Sequence, residues 1–226
     1  MNDIFVYPLQ NSKEYKDIIN CINNNKGSLL INGLLAVQKP HIAYSMYRDL
    51  NGQTIFITNS DLEAKKVYDD LSFYMKDKVE YIGFQDILFY HLDAKDRSEE
   101  AKRLKVLLKL AKGENVILVT SIEAVMRKYI PKEILLENIY TYKIGDVINL
   151  EKLSETLVNL GYERVSKIEG FGQFSIRGGI VDIFSLEYNN PIRMELFDDE
   201  IDSIRTFDVF SQKSIEKINK FSITPS

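Results

Sequence analysis

"GYERVSKIEGFGQFSIRGGIVDIFSLEYNNPIRMELFDDEIDSIRTFDVFSQKS" (161–214) carries the strongest secondary-structure pattern in the chain. It breaks into short β-rich runs: "RVSKI", "QFSIRG", "GIVDIFSL", "IRMELF" and "EIDSIRTFD". Turn residues separate them: Gly170 and Gly172, Gly178-Gly179, Asn189-Asn190-Pro191 and Asp198-Asp199. Short strands at hairpin spacing predict an antiparallel sheet. Side chains alternate between the faces of a strand, so Phe174 and Ile176 point one way and Ser175 and Arg177 the other. The apolar pair suits a core, which leaves Arg177 on an open face. One helix, "NLEKLSETLVNL" (149–160), precedes the strands and ends at Gly161, giving this half an α+β character.

Upstream the pattern changes. β-rich runs alternate with helical ones: "SLLINGL" with "HIAYSMYRDL", "QTIFITN" with "SDLEAKKVYDDLSFYM", "KVEYIGF" with "SEEAKRLKVLLKLAKG", and "NVILVTS" with "IEAVMRKYI". Nearly continuous apolar strands between amphipathic helices predict an α/β domain, a parallel sheet with helices on both faces. Ser60 with Glu63 forms a capping box, and Asn11 with Glu14 a looser one. Gly113 sits where a helix C-cap is expected, and Pro131 stops the helix after Ser121. Leu104, Leu107, Leu108 and Ala111 fall on one helical stripe. The boundary between the halves falls near 131–145.

Composition narrows the function. The 226 residues, 45% hydrophobic and 27% charged, are ordinary for a globular protein. No apolar run approaches the roughly 20 residues of a membrane span, and "MNDIFVYPLQ" lacks a signal-peptide pattern. Neither feature predicts a membrane partner. A single cysteine, Cys21, fits a reducing cytoplasm. With His41 and His91 as the only histidines, a His/Cys zinc site is not expected. The net charge of −4 counts against nucleic-acid binding by this chain alone.

Three groups of residues could carry function. The first is "SLLINGLLAVQKPH" (28–41), a run into Gly33 with Lys39 six residues on. A phosphate-binding loop needs glycines for close backbone approach, a lysine, and a hydroxyl for magnesium. Here Gln38 adds a Cβ, and Pro40 removes both an N–H and the hydroxyl. An ordinary turn into a helix, with Pro40 in its first turn, explains the stretch as well. The second group is the acidic "FDDEID" (197–202), which reads as a solvated turn. The third is the arginines Arg164, Arg177, Arg193 and Arg205, on separate strands or their flanks. They could meet a partner's carboxylates, or pair at home with Glu195, Asp199 or Asp202.

The ordered matches Gly161-Tyr162, Arg164, "FSIRGGIVDIF", "PIRMELFDDEIDSIR", "FD" and "SQKS" resemble the UvrA-interacting domain. UvrB shares that domain with the N-terminal part of bacterial transcription-repair coupling factors of the Mfd type. "GENVILVTSIEAVMRK" fits the preceding sheet domain. Two departures from UvrB favour the coupling factor: the degenerate loop "GLLAVQKP", and a stretch after the third strand too short for a long DNA-holding hairpin. The resemblance implies a UvrB-like α/β domain (1–130, with 214–226 returning to it) and an inserted UvrA-interacting domain (131–213). It implies recruitment of UvrA through Arg164 and Arg177, with Arg193, Glu195 and Phe197 as neighbours. An antiparallel pairing would bring Arg164 alongside Arg177.

In this reading Gly33, Gln38, Lys39 and Pro40 are the relic of a phosphate loop. The fragment has no cofactor and no catalytic residue. ATP and magnesium, RNA polymerase and DNA belong to a longer parent, an ATP-dependent DNA translocase. The alternative is an ATP- and DNA-binding fragment of a UvrB-class excision nuclease subunit. A third reading is a scaffold whose sheet packs against the rest of the parent.

Overall fold

The computed structural model describes residues 4–24, 27–84 and 98–226. They form two compact units, one within Met1–Tyr90 and Gly113–Lys128, the other within His91–Lys112 and Tyr129–Ser226. In chain order the elements are α1 (Tyr7–Gln10), α2 (Lys13–Asn23), α3 (Gln38–Leu50), β1 (Thr54–Thr58), α4 (Asp61–Met75), β2 (Val79–Ile82), α5 (Ser98–Ala111), β3 (Ile117–Ser121), α6 (Ile122–Val125) and α7 (Lys132–Glu137). There follow β4 (Tyr140–Lys143), α8 (Leu150–Asn159), β5 (Glu163–Arg164), β6 (Gln173–Arg177), β7 (Ile180–Ile183), β8 (Ile192–Phe197), β9 (Glu200–Phe207), β10 (Ser214–Lys217) and β11 (Lys220–Ile223).

In the first unit, β1, β3 and β2 make a parallel sheet with β3 in the middle. One face carries Phe56, Ile117, Val119, Val79 and Tyr81, which pack against Tyr44 of α3 and Ala64, Val67 and Leu71 of α4. The Ser60 hydroxyl caps α4, accepting from the Glu63 N–H at 3.3 Å, as the sequence predicts. The cap of α2 is Ser12 rather than Asn11: its hydroxyl accepts from the Tyr15 N–H at 3.1 Å, while the Asn11 amide turns back to the Tyr7 carbonyl.

Two expectations for this unit are corrected. Residues 28–34 form no strand. Leu29 and Leu30 are exposed, and β3 already has a neighbour on each side. The second face is not covered at β1 either, where Ile55 and Ile57 are exposed. Helix α5 groups with the other unit, where its stripe (Leu104, Leu107, Leu108, Ala111) packs on Leu135, Leu136 and Ile139. Helix α6 ends at Val125, and Pro131 instead begins α7. The stretch 85–97, with His91 and the segment compared above with a DNA-holding hairpin, lies outside the described residues.

The second unit is built on a six-stranded sheet ordered β10-β9-β8-β7-β6-β5. Neighbours are antiparallel except β5 and β6, which run parallel. Its apolar face carries Phe174, Val181, Ile183, Ile192, Met194 and Ile204, closed by Leu153 and Leu157 of α8. Phe174, Val181, Ile183, Ile192 and Met194 have no solvent exposure. Asn149 caps α8, its side-chain oxygen accepting from the Lys152 N–H at 2.9 Å.

Residues 214–226 do not return to the first sheet. β10 extends the large sheet beside β9, and β11 pairs with β4. The reason is visible in the packing: Phe221 and Ile223 are buried in the same core as α8, and the buried Tyr162 hydroxyl donates to the Thr224 carbonyl at 2.9 Å.

Candidate functional site

The face of the large sheet opposite its core is polar, and its residues are fixed by register. Ser175 on β6 faces Asp182 on β7, which faces Arg193 on β8, which faces Arg205 on β9. Arg177, Ile180, Glu195 and Ser203 form the next row across the same strands. Alternation thus puts Arg177 opposite the core, as the sequence predicts.

Asp182 is the centre of this face. Its side chain is only 3% exposed, an unusual place for a charge unless it is paired. Arg193 grips it in fork geometry, Nε to Oδ1 at 2.6 Å and a terminal nitrogen to Oδ2 at 2.8 Å. Arg177 donates to Oδ2 at 2.6 Å. Charge-assisted, bidentate bonds of this kind combine strength with fixed geometry. The bond to Asp182 makes the Arg193 guanidinium hold its proton more tightly than usual. Arg193 also lies over the Phe207 ring at 4.3 Å and donates to the Gln212 side-chain oxygen at 3.1 Å. Its side chain is 14% exposed, whereas that of Arg177 is 49% exposed.

A second pair sits beside the first. Arg205 forks onto Glu195, and the Ser203 hydroxyl donates to the same carboxylate at 3.0 Å. The Arg205 hydrogen bonds hold the Glu195 carboxyl below its ordinary range. Two guanidiniums around one buried carboxylate carry a net +1, while Arg205 and Glu195 cancel. Arg177 is therefore a half-exposed cation of this face, with the exposed Lys217 of β10 at its far edge, and Arg193 and Glu195 are committed to partners within the chain.

Arg164 does not stand where an antiparallel pairing would put it. The two-residue β5 runs parallel to β6 and sets Arg164 level with Phe174, so Arg164 and Arg177 belong to opposite faces. Arg164 is exposed. Phe197, 80% exposed, ends β8 beside a tight hairpin whose Asp198 has φ 60°; "FDDEID" is that turn.

In the first unit, Gly33 has φ 85°. Residues 35–38 close on themselves: the Gln38 side-chain oxygen accepts from the Leu35 N–H at 2.9 Å, and the Leu35 carbonyl accepts from the Gln38 N–H at 3.0 Å. Lys39 is exposed and Pro40 is buried in the first turn of α3. His41 is structural. A carbonyl can only accept, so its Nε2 donates to Phe5 O at 2.6 Å, and its ring stacks on Tyr74. Among the described residues no group of three or more His, Cys, Asp or Glu could hold a metal ion, and no helix is long and apolar enough to cross a membrane.

The second unit is thus an α+β domain whose sheet has one apolar face closed by a helix and one face of arginines held by carboxylates. Residues 141–226 match the UvrB interaction domain, and the chain carries that domain. Over nearly all its length it is homologous to transcription-repair-coupling factors. It is 32% identical over 219 residues to that of Bacillus subtilis, covering 96% of this chain and 19% of the relative. It is 34% identical over 200 residues to that of Staphylococcus aureus strain Mu50, covering 88% of this chain and 17% of the relative. The chain thus spans less than a fifth of the length of these relatives.

Proposed function

We propose that this chain is the UvrB-like module of a transcription-repair coupling factor and that it recruits UvrA, bringing excision repair to stalled RNA polymerase. The observation that carries the reading is the half-exposed Arg177, braced by Asp182 on the polar face of a sheet that matches the UvrB interaction domain. A guanidinium fixed in this way meets a partner carboxylate with little loss of side-chain freedom. Arg193 and Glu195 position that face and Phe197 is exposed at its margin, while Arg164 is exposed on the other side of the sheet. RNA polymerase, DNA and ATP-driven translocation belong to the rest of such a factor.

The test is calorimetric titration of UvrA with the 226-residue chain and its Arg177→Ala variant. The expected result is at least a tenfold loss of affinity, since truncating one arm of an interfacial charge pair costs about 2–5 kcal/mol. Folding should change by no more than about 1 kcal/mol, because the Arg177 side chain is half in water and Arg193 still holds Asp182. Unchanged affinity in the folded variant removes Arg177 from the interface.

We further propose that Gly33 to Pro40 performs no nucleotide chemistry, as the relic of a phosphate loop. The Leu35–Gln38 turn consumes its own N–H groups, and Pro40 offers neither donor nor hydroxyl. The expected phosphate release from ATP and magnesium is the same for the chain and for Lys39→Ala; a higher rate in the unsubstituted chain refutes this.

A further inference from the structure

The polar face continues into the loop between β9 and β10. From Arg177 the bonds run through Asp182 to Arg193, and from Arg193 to the Gln212 side chain. Gln212 in turn donates through its amide to the Val209 carbonyl at 2.7 Å. The rest of residues 208–213 is tied down as tightly. The Asp208 carboxylate accepts from both the N–H and the hydroxyl of Ser211, each at 2.7 Å. The Gln212 N–H donates to the Asp208 carbonyl at 2.8 Å, and the Asp208 N–H to the Lys213 carbonyl at 2.9 Å. Gln212 adopts φ 60° within this turn. At its crest Phe210 is 91% exposed, the highest value among the exposed large apolar side chains described.

A lone surface phenylalanine normally needs no explanation. Phe210 differs in its support. A loop stitched by side-chain and backbone bonds has already surrendered its conformational freedom, so docking its aromatic ring loses little more. Aromatic and arginine anchors that are rigid before binding are what dominate interface energetics. Here one such ring is connected by an unbroken bond chain to the half-exposed guanidinium.

We propose that Phe210 is a second anchor of the UvrA-docking surface, which then runs from Arg177 across the Asp182–Arg193 pair to the 208–213 loop. This rests on the recruitment reading above. It specifies the complementary surface on the partner: an apolar cleft for one aromatic ring, with a carboxylate beside it to meet the net +1 of the arginine–aspartate cluster.

The experiment titrates UvrA with the unsubstituted chain, Phe210→Ser, Phe210→Tyr and Arg177→Ala, with the melting temperature of each. Phe210→Ser is expected to weaken binding about tenfold or more with an unchanged melting temperature, and Phe210→Tyr to stay within about threefold of the unsubstituted chain. Unweakened binding by Phe210→Ser, alongside weakened binding by Arg177→Ala, overturns this inference and leaves the recruitment reading standing. Absence of binding by the unsubstituted chain overturns both. Sedimentation across a concentration series supplies the remaining arm. A dimer that Phe210→Ser abolishes would place a second copy of this chain on the loop, and that also overturns the inference.

Discussion

Asp182→Ala is expected to lower the folding stability of the second unit by about 3–5 kcal/mol, the range found when one partner of a buried ion pair is removed. The carboxylate is 3% exposed and receives three charge-assisted bonds from Arg177 and Arg193. The Arg193 guanidinium, 14% exposed in the intact chain, then loses its ion-pair partner and keeps the Gln212 oxygen, the Phe207 ring and the more distant Glu195 carboxylate, which Arg205 already occupies. That ring cannot replace the hydrogen bonds, and water reaches the group poorly. Arg177 suffers less, since half of its side chain is already in solvent. Asp182→Asn should be only slightly milder, because the amide keeps one acceptor and puts N–H donors against a donor-only guanidinium.

A double variant, Asp182→Ala with Arg193→Met, separates the loss of a charge from the loss of packing. It should recover most of the stability, since an apolar stem over Phe207 leaves no buried charge unpaired. Urea denaturation followed by circular dichroism measures all three. A loss below about 1 kcal/mol for Asp182→Ala would show that the pair is worth no more than a surface one.

How far the sequence discloses this arrangement depends on how local each determinant is. The strands β6 to β9 are legible because alternation and turn residues are both local: Gly178-Gly179 ends one strand and starts the next. The same turn pairs Arg177 with Ile180 and therefore Ser175 with Asp182. Asp182 could have been found that way, as the single acid of "GIVDIF" falling on the arginine face. The direction of β5 is not local. Two residues carry no usable pattern, and the route of 165–172 decides that they run parallel to β6. The stripe on α5 announces that the helix is buried but not against what. Leu135 and Ile139 cover it. The run at 28–34 is apolar enough for a strand, yet a strand also needs a free edge in the right place. The fate of 214–226 likewise follows from tertiary packing of Phe221 and Ile223, which period and propensity do not specify.

Gly161→Ala is expected to destabilise the second unit by about 2–3 kcal/mol, from two additive causes. Gly161 follows α8 with φ 92°, a backbone region that costs a residue with a Cβ about 1 kcal/mol or more. The added Cβ would also lie 2.6 Å from the carbonyl oxygen of Ser226. That oxygen cannot retreat freely, because the Ser226 N–H donates to the Leu160 carbonyl at 2.8 Å. The adjoining Tyr162 hydroxyl holds Thr224 in place at 2.9 Å. Relieving the contact therefore means giving up a hydrogen bond where the last strand crosses the end of α8. Gly178→Ala is the internal control: its φ is also positive, at 59°, but a Cβ there meets nothing within 4 Å. It should show the backbone penalty alone, about 1 kcal/mol. Deleting Ser226 removes the obstructing carbonyl and should bring Gly161→Ala down to the Gly178→Ala value. Equal losses for the two alanine variants in the intact chain, measured by urea midpoints, would mean that the Ser226 contact yields without resistance and that only the backbone conformation opposes a side chain at Gly161.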